Sequence, residues 1–169
     1  HVDIVLAVEP EAGTLLLSVR DDGKGMDADF LARVTDPFTT TRSTRKVGLG
    51  IPLLKLAAEM TGGALHLASE QGVGTTLTVR FRMDSIDRIP VGDIPGTVAA
   101  LMTAWTDIEW SLRMDSGKER YEITTGEIKE VLEGVSIGNP AVAGWLEENL
   151  REAMTNVFGG ILDEIAEGS

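Results

Sequence analysis

The sequence predicts an α+β fold, and three observations carry that expectation. Two pairs of short strand-like runs are each joined by a glycine-containing turn. A stretch with helical periodicity stands between the pairs. A second half, punctuated by proline and glycine, then adds a further hairpin among helical segments.

Taken in order, Val2, Ile4, Leu6 and Val8 alternate with Asp3, Val5, Ala7 and Glu9 as in a strand. Pro10-Glu11-Ala12-Gly13 is a turn, and Thr14 to Arg20 a second strand, so the two form a hairpin. Asp21 to Met26 (DDGKGM) is a glycine-rich exit loop, after which Asp27 caps a short helix holding Phe30, Leu31 and Val34. Asp36 to Val47 is polar, threonine-rich and basic, has no periodicity, and reads as a long mobile loop. Leu49, Leu53, Leu56, Ala57 and Met60 then recur at helical spacing, with Lys55 and Glu59 on the wet side. Pro52 is tolerable only in a first turn, which places the helix start near Gly48 or Leu49, and Gly62-Gly63 ends it. Ala64 to Ser69 and Thr75 to Arg82 are strands around the turn Gln71-Gly72-Val73-Gly74.

Ile86 to Gly96 reads as a connector, and Thr97 to Trp105 as a helix. Ile108 to Met114 and Glu119 to Thr124 form a hairpin around Asp115-Ser116-Gly117-Lys118. Thr124 and Glu127 have capping-box spacing for a short helix to Leu132. Asn139-Pro140 starts a final long helix, with Val142, Leu146, Leu150, Ala153, Val157 and Ile161 on its apolar face. This organisation suggests two parts, residues 1–83 and a C-terminal extension, residues 84–169, with a packing or interaction role.

Composition narrows the function. The 169 residues carry 27 acidic and 15 basic side chains, a formal net charge of −12. Such a surface repels phosphate backbones, so no nucleic-acid partner is expected. The chain has no cysteine, which excludes disulfides and thiolate metal sites. No apolar run approaches the roughly 20 residues of a membrane span, and a cytoplasmic protein is expected.

Three features carry chemistry. In Asp21-Asp22-Gly23-Lys24-Gly25, a carboxylate at a strand end can accept from the exocyclic amino group of adenine, and the glycines let the backbone approach the base. Alone this is an ordinary Asp-Gly turn. The segment Thr39-Thr40-Thr41-Arg42-Ser43-Thr44-Arg45-Lys46 places three cations and several hydroxyls together in an acidic chain, which suits a triphosphate. Gly48-Leu49-Gly50 opens a helix whose free N–H groups and positive dipole end favour phosphate.

In order and spacing these features resemble the GHKL (histidine-kinase-like, Bergerat-fold) ATPases. Asp21-x-Gly23-x-Gly25 resembles their first glycine box, Asp36-Pro37-Phe38-Thr39-Thr40 the phenylalanine box of sensor histidine kinases, Gly48-Leu49-Gly50-Ile51 the second glycine box, and Gly72-Val73-Gly74-Thr75 the closing Gly-x-Gly-Thr of the third. The resemblance covers the first half of the chain. It implies a two-layer α/β sandwich, followed here by an αββαα extension, with ATP or ADP and Mg²⁺ as ligands of the complete protein. Asp21 would bind adenine, and Asp36 to Lys46 would form a lid over the phosphates. The residues expected around the nucleotide are Asp21, Gly23, Gly25, Met26, Phe38, Thr39, Thr40, Thr41, Arg42, Arg45, Lys46, Gly48, Leu49, Gly50 and Thr75.

Two departures stand out. These folds place a helix bearing a magnesium-binding Asn before the hairpin, and this sequence begins at the hairpin, so the sandwich is expected without its first helix and without a metal ligand. Lys46 stands where a further glycine is usual and would set a direct charge on a phosphate. A sensor kinase also needs a phosphoacceptor His. Only His1 and His66 are present, and His66 alternates with Leu65 and Leu67 as a structural strand position. The run TRKVGLGIPLLKLAAEMTGG, with DRIPVGD and the extension, is similar to small bacterial ATP-binding proteins found beside iron-only hydrogenase subunits. The expectation is an ATP-binding regulatory module. The alternatives are a kinase domain acting in trans and a degenerate fold serving only protein interaction. Self-association or partner docking is expected through the extension, on a helix face bearing Trp145, Leu146, Leu150, Met154, Val157 and Phe158.

Overall fold

In a computed structural model, which describes residues 1–35, 49–88 and 90–162, the chain forms a mixed sheet with helices. Strands β1 (Val2–Glu9) and β2 (Thr14–Asp21) make the first hairpin. Helices α1 (Ala28–Val34) and α2 (Gly50–Met60) precede β3 (Ala64–Glu70) and β4 (Gly74–Arg82). Then come α3 (Ile94–Ala104), β5 (Trp110–Asp115), β6 (Arg120–Thr124), α4 (Thr125–Val131) and α5 (Pro140–Phe158). The strand order is β3-β4-β2-β1-β5-β6. Every neighbouring pair is antiparallel except β1 and β5, which run parallel. The α+β class read from the sequence is therefore the class observed.

Side-chain alternation assigns the two faces. Ile4, Leu6 and Val8 of β1, Leu15 of β2, and Trp110, Leu112 and Met114 of β5 are buried. They form one cluster with Val98, Ala99 and Met102 of α3 and Val142, Leu146, Leu150, Ala153, Val157 and Phe158 of α5. A second, smaller cluster joins Ala58 of α2 to Val79 and Phe81 of β4, with Leu54, Ala57, Leu65 and Leu77 against it. Leu17 touches both. The opposite face of the sheet is polar: Glu9 accepts from Arg80 Nε at 2.9 Å, and Ser18 and Thr78 hydroxyls lie 3.3 Å apart.

The local signals account for most boundaries. Asp27 Oδ1 caps α1 through the Phe30 N–H at 2.7 Å. The capping box at α4 is complete: the Glu127 N–H donates to Thr124 Oγ1 and the Thr124 N–H to Glu127 Oε2. Asn139 Oδ1 accepts from the Ala141 N–H at 2.9 Å, ahead of Pro140. Helix α3 begins three residues before the expected Thr97. Asp93 caps it through Gly96 N–H, and Pro95 sits in the first turn, so the apparent connector supplies the helix start. Helix α5 ends at Phe158, with Gly159 at φ 54° stopping it, so Ile161 lies in the turn beyond.

The face of α2 needs a larger correction. Of the stripe read as its core, Ala57 packs on the sheet, but Leu49, Leu53, Leu56 and Met60 are each more than half exposed. The side turned to the sheet carries Pro52, Leu54, Ala57 and Ala58. The helix is apolar around most of its circumference, so periodicity alone offers two stripes. The small residues Ala57 and Ala58 let the backbone approach the sheet most closely. The broad face of α5 is likewise largely used inside the chain. Leu146 and Leu150 are fully buried, and of the named face Trp145 stands out as exposed.

Candidate functional site

Asp21 is the last residue of β2 and pairs in register with Thr75 of β4, which in turn pairs with Ser69 of β3. Paired residues share a face, so these three polar side chains stand in one row across the sheet, on the helix-bearing side. The row next to it is apolar: Val19, Leu77 and Leu67, all half-buried. A polar rim over an apolar floor is suited to a planar heteroaromatic group, with the flat body on the aliphatic surface and its edge on the polar groups.

The rim has a defined hydrogen-bond network. Asp21 Oδ1 accepts from the Gly23 N–H at 2.9 Å, which orients the carboxylate. The Met26 N–H donates to Ser69 Oγ at 2.8 Å, and Ser69 Oγ donates to the Gly74 carbonyl at 2.9 Å. The hydroxyls of Ser69 and Thr75 are 3.0 Å apart. Because the Ser69 proton goes to Gly74, Thr75 is the donor of that pair, which leaves its oxygen available as an acceptor. Asp21 and Thr75 thus present acceptors to a ligand, matching the N–H-bearing edge of adenine. A group with a carbonyl at that position would meet like dipoles.

The glycines are spatial requirements here. Gly25 has φ +62°, and a Cβ on it would overlap the Glu70 carbonyl. Gly74 has φ +139°, and a Cβ there would overlap the Asp21 carbonyl. The exit loop of β2 and the β3–β4 turn therefore pack backbone against backbone, joined further by the Gly72 N–H donating to the Lys24 carbonyl at 2.8 Å. Asp22 is engaged differently: its backbone N–H donates to the His1 carbonyl at 3.3 Å.

Of the expected site residues, Asp21, Gly23, Gly25, Met26 and Thr75 come together in this network. Leu49 and Gly50 stand at the start of α2, where no side chain of the described residues caps the helix, and the first N–H groups carry the positive end of its dipole. Phe38, Thr39, Thr40, Thr41, Arg42, Arg45, Lys46 and Gly48, and the lid they were expected to form, lie outside the described residues. Ser69, the hub of the rim, was missed by sequence reading. Its only signal is its strand position, facing Thr75 across a tight turn. No cluster of three or more His, Asp or Glu side chains suited to a metal forms among the described residues, and none of their helices is long and apolar enough to cross a membrane.

The histidine kinase-, DNA gyrase B- and HSP90-like ATPase family matches residues 1–85, half of the chain. The chain is 35% identical over 88 residues to the sensor histidine kinase ZraS of Escherichia coli K12, covering 52% of this chain and 18% of that protein. It is 38% identical over 71 residues to the sensor kinase CckA of Brucella abortus, covering 41% of this chain and 8% of that one. With the heme sensor protein HssS of Staphylococcus saprophyticus it shares 33% over 82 residues, 48% of this chain and 17% of that one. The chain thus spans under a fifth of the length of these relatives. The match over residues 1–85, half of the chain, places it in the histidine kinase-, DNA gyrase B- and HSP90-like ATPase family.

Proposed function

We propose that the chain is an ATP-binding regulatory module in which Asp21 accepts from the adenine amino group and Thr75 supports the same edge. The observation that carries this reading is the oriented Asp21 carboxylate over the apolar floor of Val19, Leu77 and Leu67. The phosphates then run toward the start of α2, which the basic residues Arg42, Arg45 and Lys46 precede in sequence. Mg²⁺, which neutralises the phosphates when bound, draws its protein ligand in this reading from residues other than those described. The chain's own work is to select the base, exclude water from it and hold the phosphate end in place. A cytoplasmic location, and the narrower kinship with ATP-binding proteins found beside hydrogenase subunits, belong to the same proposal.

Calorimetric titration of ATP into the full-length protein tests it. Asp21→Asn should weaken binding by about 1.5–3 kcal/mol, roughly ten- to 150-fold, and Asp22→Asn should leave it near wild type. Equal affinities for wild type and Asp21→Asn would remove Asp21 from the site.

A second reading is favoured by the names of the relatives, which are sensor kinases. In it the same site serves phosphoryl transfer to a partner protein. Incubation with γ-labelled ATP and candidate partners separates the two, since a regulatory module binds ATP without labelling any of them.

A further inference from the structure

Strand β6 stands at one margin of the sheet, with β5 on its inner side. The ladder decides which of its backbone groups face outward. The Val2 N–H donates to the Glu109 carbonyl, so the odd-numbered residues along β5 turn their backbone toward β1. The Trp110 N–H donates to Thr125 Oγ1 and the Ser116 N–H to the Glu119 carbonyl, so the even-numbered ones turn toward β6. Leu112 lies opposite Ile123 and Met114 opposite Tyr121, and these are the pairs that exchange hydrogen bonds. The N–H and C=O groups of Arg120 and Glu122 therefore point away from β5. Thr124, next in that series, already gives its N–H to Glu127 Oε2. The turn after α5 runs the other way, since the Leu162 carbonyl accepts from Arg88, which borders Leu6, Leu15 and Leu17 of β1 and β2.

Edge strands are kept apart by charges that repel a second copy. Here the charges attract one. Arg120 and Glu122 are exposed and share the polar face of the sheet, two positions apart. Antiparallel pairing with a second copy has to join outward groups to outward groups. Arg120 opposite Arg120, or Glu122 opposite Glu122, sets like charges together. Arg120 opposite Glu122 matches both charges and uses the backbone groups of both residues on each strand. Glu122 lies opposite Arg113 within its own chain, and Arg120 is ion-paired with Asp115 at 2.7 Å. The row across the joint then alternates in sign, from Arg113 and Glu122 of one copy to Arg120 and Asp115 of the other. On the helix-bearing face the same register sets Tyr121 opposite Tyr121 at the two-fold axis, an aromatic cross-strand pair. Tyr121 is half-buried, with its hydroxyl donating to Asn149 Oδ1 at 2.6 Å. An open hollow of about 280 Å³, bordered by Tyr121 and by Glu152 and Asn156 of α5, leaves room for the second ring. We propose that β6 is a self-association edge, at which two copies of this chain pair antiparallel through Arg120 and Glu122 and join their sheets. The nucleotide rim, on β2, β4 and β3, stays clear of the joint.

Sedimentation equilibrium and hydrogen exchange of the 169-residue chain test this. A reversible monomer–dimer equilibrium should appear at roughly tens to hundreds of micromolar, the weak range of a small interface. Protection of the Arg120 and Glu122 amides should rise with it. Glu122→Arg and Arg120→Glu should each weaken association about tenfold or more. An equimolar mixture of the two variants should pair again, because every Arg then meets a Glu. A monomer at all these concentrations would overturn the proposal, as would a dimer that neither variant weakens, or a mixture that fails to pair. Protection of both amides in the monomer would overturn it too, by showing the edge covered within one chain, and that measurement stands even if neither variant folds.

Discussion

The two sides of the sheet's helical layer are built to different standards. Over β1 and β5, helices α3 and α5 close a core in which Leu146, Leu150 and Met102 are fully buried. Over β3 and β4, helix α2 rests on a three-residue cluster and leaves Leu53 58% and Leu56 54% exposed. The thin side and the rim around Asp21 lie in the segment that matches the ATPase family, whereas α3 and α5 lie beyond it. The candidate site is therefore held up by a core that residues 94–158 largely supply. The extension is tied in by the parallel pairing of β5 with β1, from Val2 opposite Trp110 to Ala7 opposite Asp115. Regions of low packing open most easily, and a ligand that fills them shifts that equilibrium furthest.

Cavity formation should show this contrast most strongly. Leu146→Ala and Leu150→Ala should each cost about 3–5 kcal/mol in denaturant unfolding, while Leu53→Ala should cost below about 1 kcal/mol. A cost at Leu53 equal to that at Leu146 would mean that the exposed side of α2 is covered in the whole protein. The glycines sharpen the comparison within the thin side. Gly25→Ala combines a left-handed backbone with overlap on Glu70 and should cost about 2–4 kcal/mol. Gly72→Ala, at φ +81° in open space, should cost only about 1–2 kcal/mol. Similar losses at both positions would show that the loop contact is loose.

Smaller effects are expected at caps and surface charges. Thr124→Ala removes one half of the α4 capping box and should cost about 1 kcal/mol by the same unfolding measurement. The Arg80 guanidinium, aided by the Thr14 hydroxyl, holds the Glu9 carboxyl below its usual range. The Gly117 N–H and then Arg120 do the same for Asp115. Both groups release protons more readily folded than unfolded. Their contribution is thus complete above an unfolded pKa of about 4 and is lost as pH falls through the lower folded value. Arg80→Met should flatten the acid limb of the stability profile by less than about 1 kcal/mol, since the pair is half-exposed. An unchanged limb would place the acid sensitivity elsewhere.

Much of this was legible in the sequence, for local reasons. Capping signals at Asp27, Thr124 and Asn139 and turns at Gly13 and Gly72 are short-range, and each stands where the sequence puts it. That Asp21, Gly23, Gly25 and Thr75 come together was readable because their spacing carries a family pattern. What was not legible depends on long-range choices. Nothing local tells β5 to pair parallel with β1, nor α2 to turn Leu54 and Ala58 inward beside Ala57 instead of Leu53 and Leu56. Ser69 escaped notice because its importance comes from Met26, a contact 43 residues away.

The central claim, that Asp21 reads the amino group of adenine, is tested most directly by base discrimination. Inosine triphosphate carries a carbonyl in place of that amino group and an N–H donor in place of the neighbouring acceptor nitrogen, and is otherwise the same as ATP. Titrating both into the full-length protein and into Asp21→Asn gives a ratio free of phosphate contributions. Wild type should favour ATP by at least about tenfold, and Asp21→Asn, whose amide can donate to the inosine carbonyl, should shrink or reverse that preference. The same ATP preference in both proteins would contradict the account.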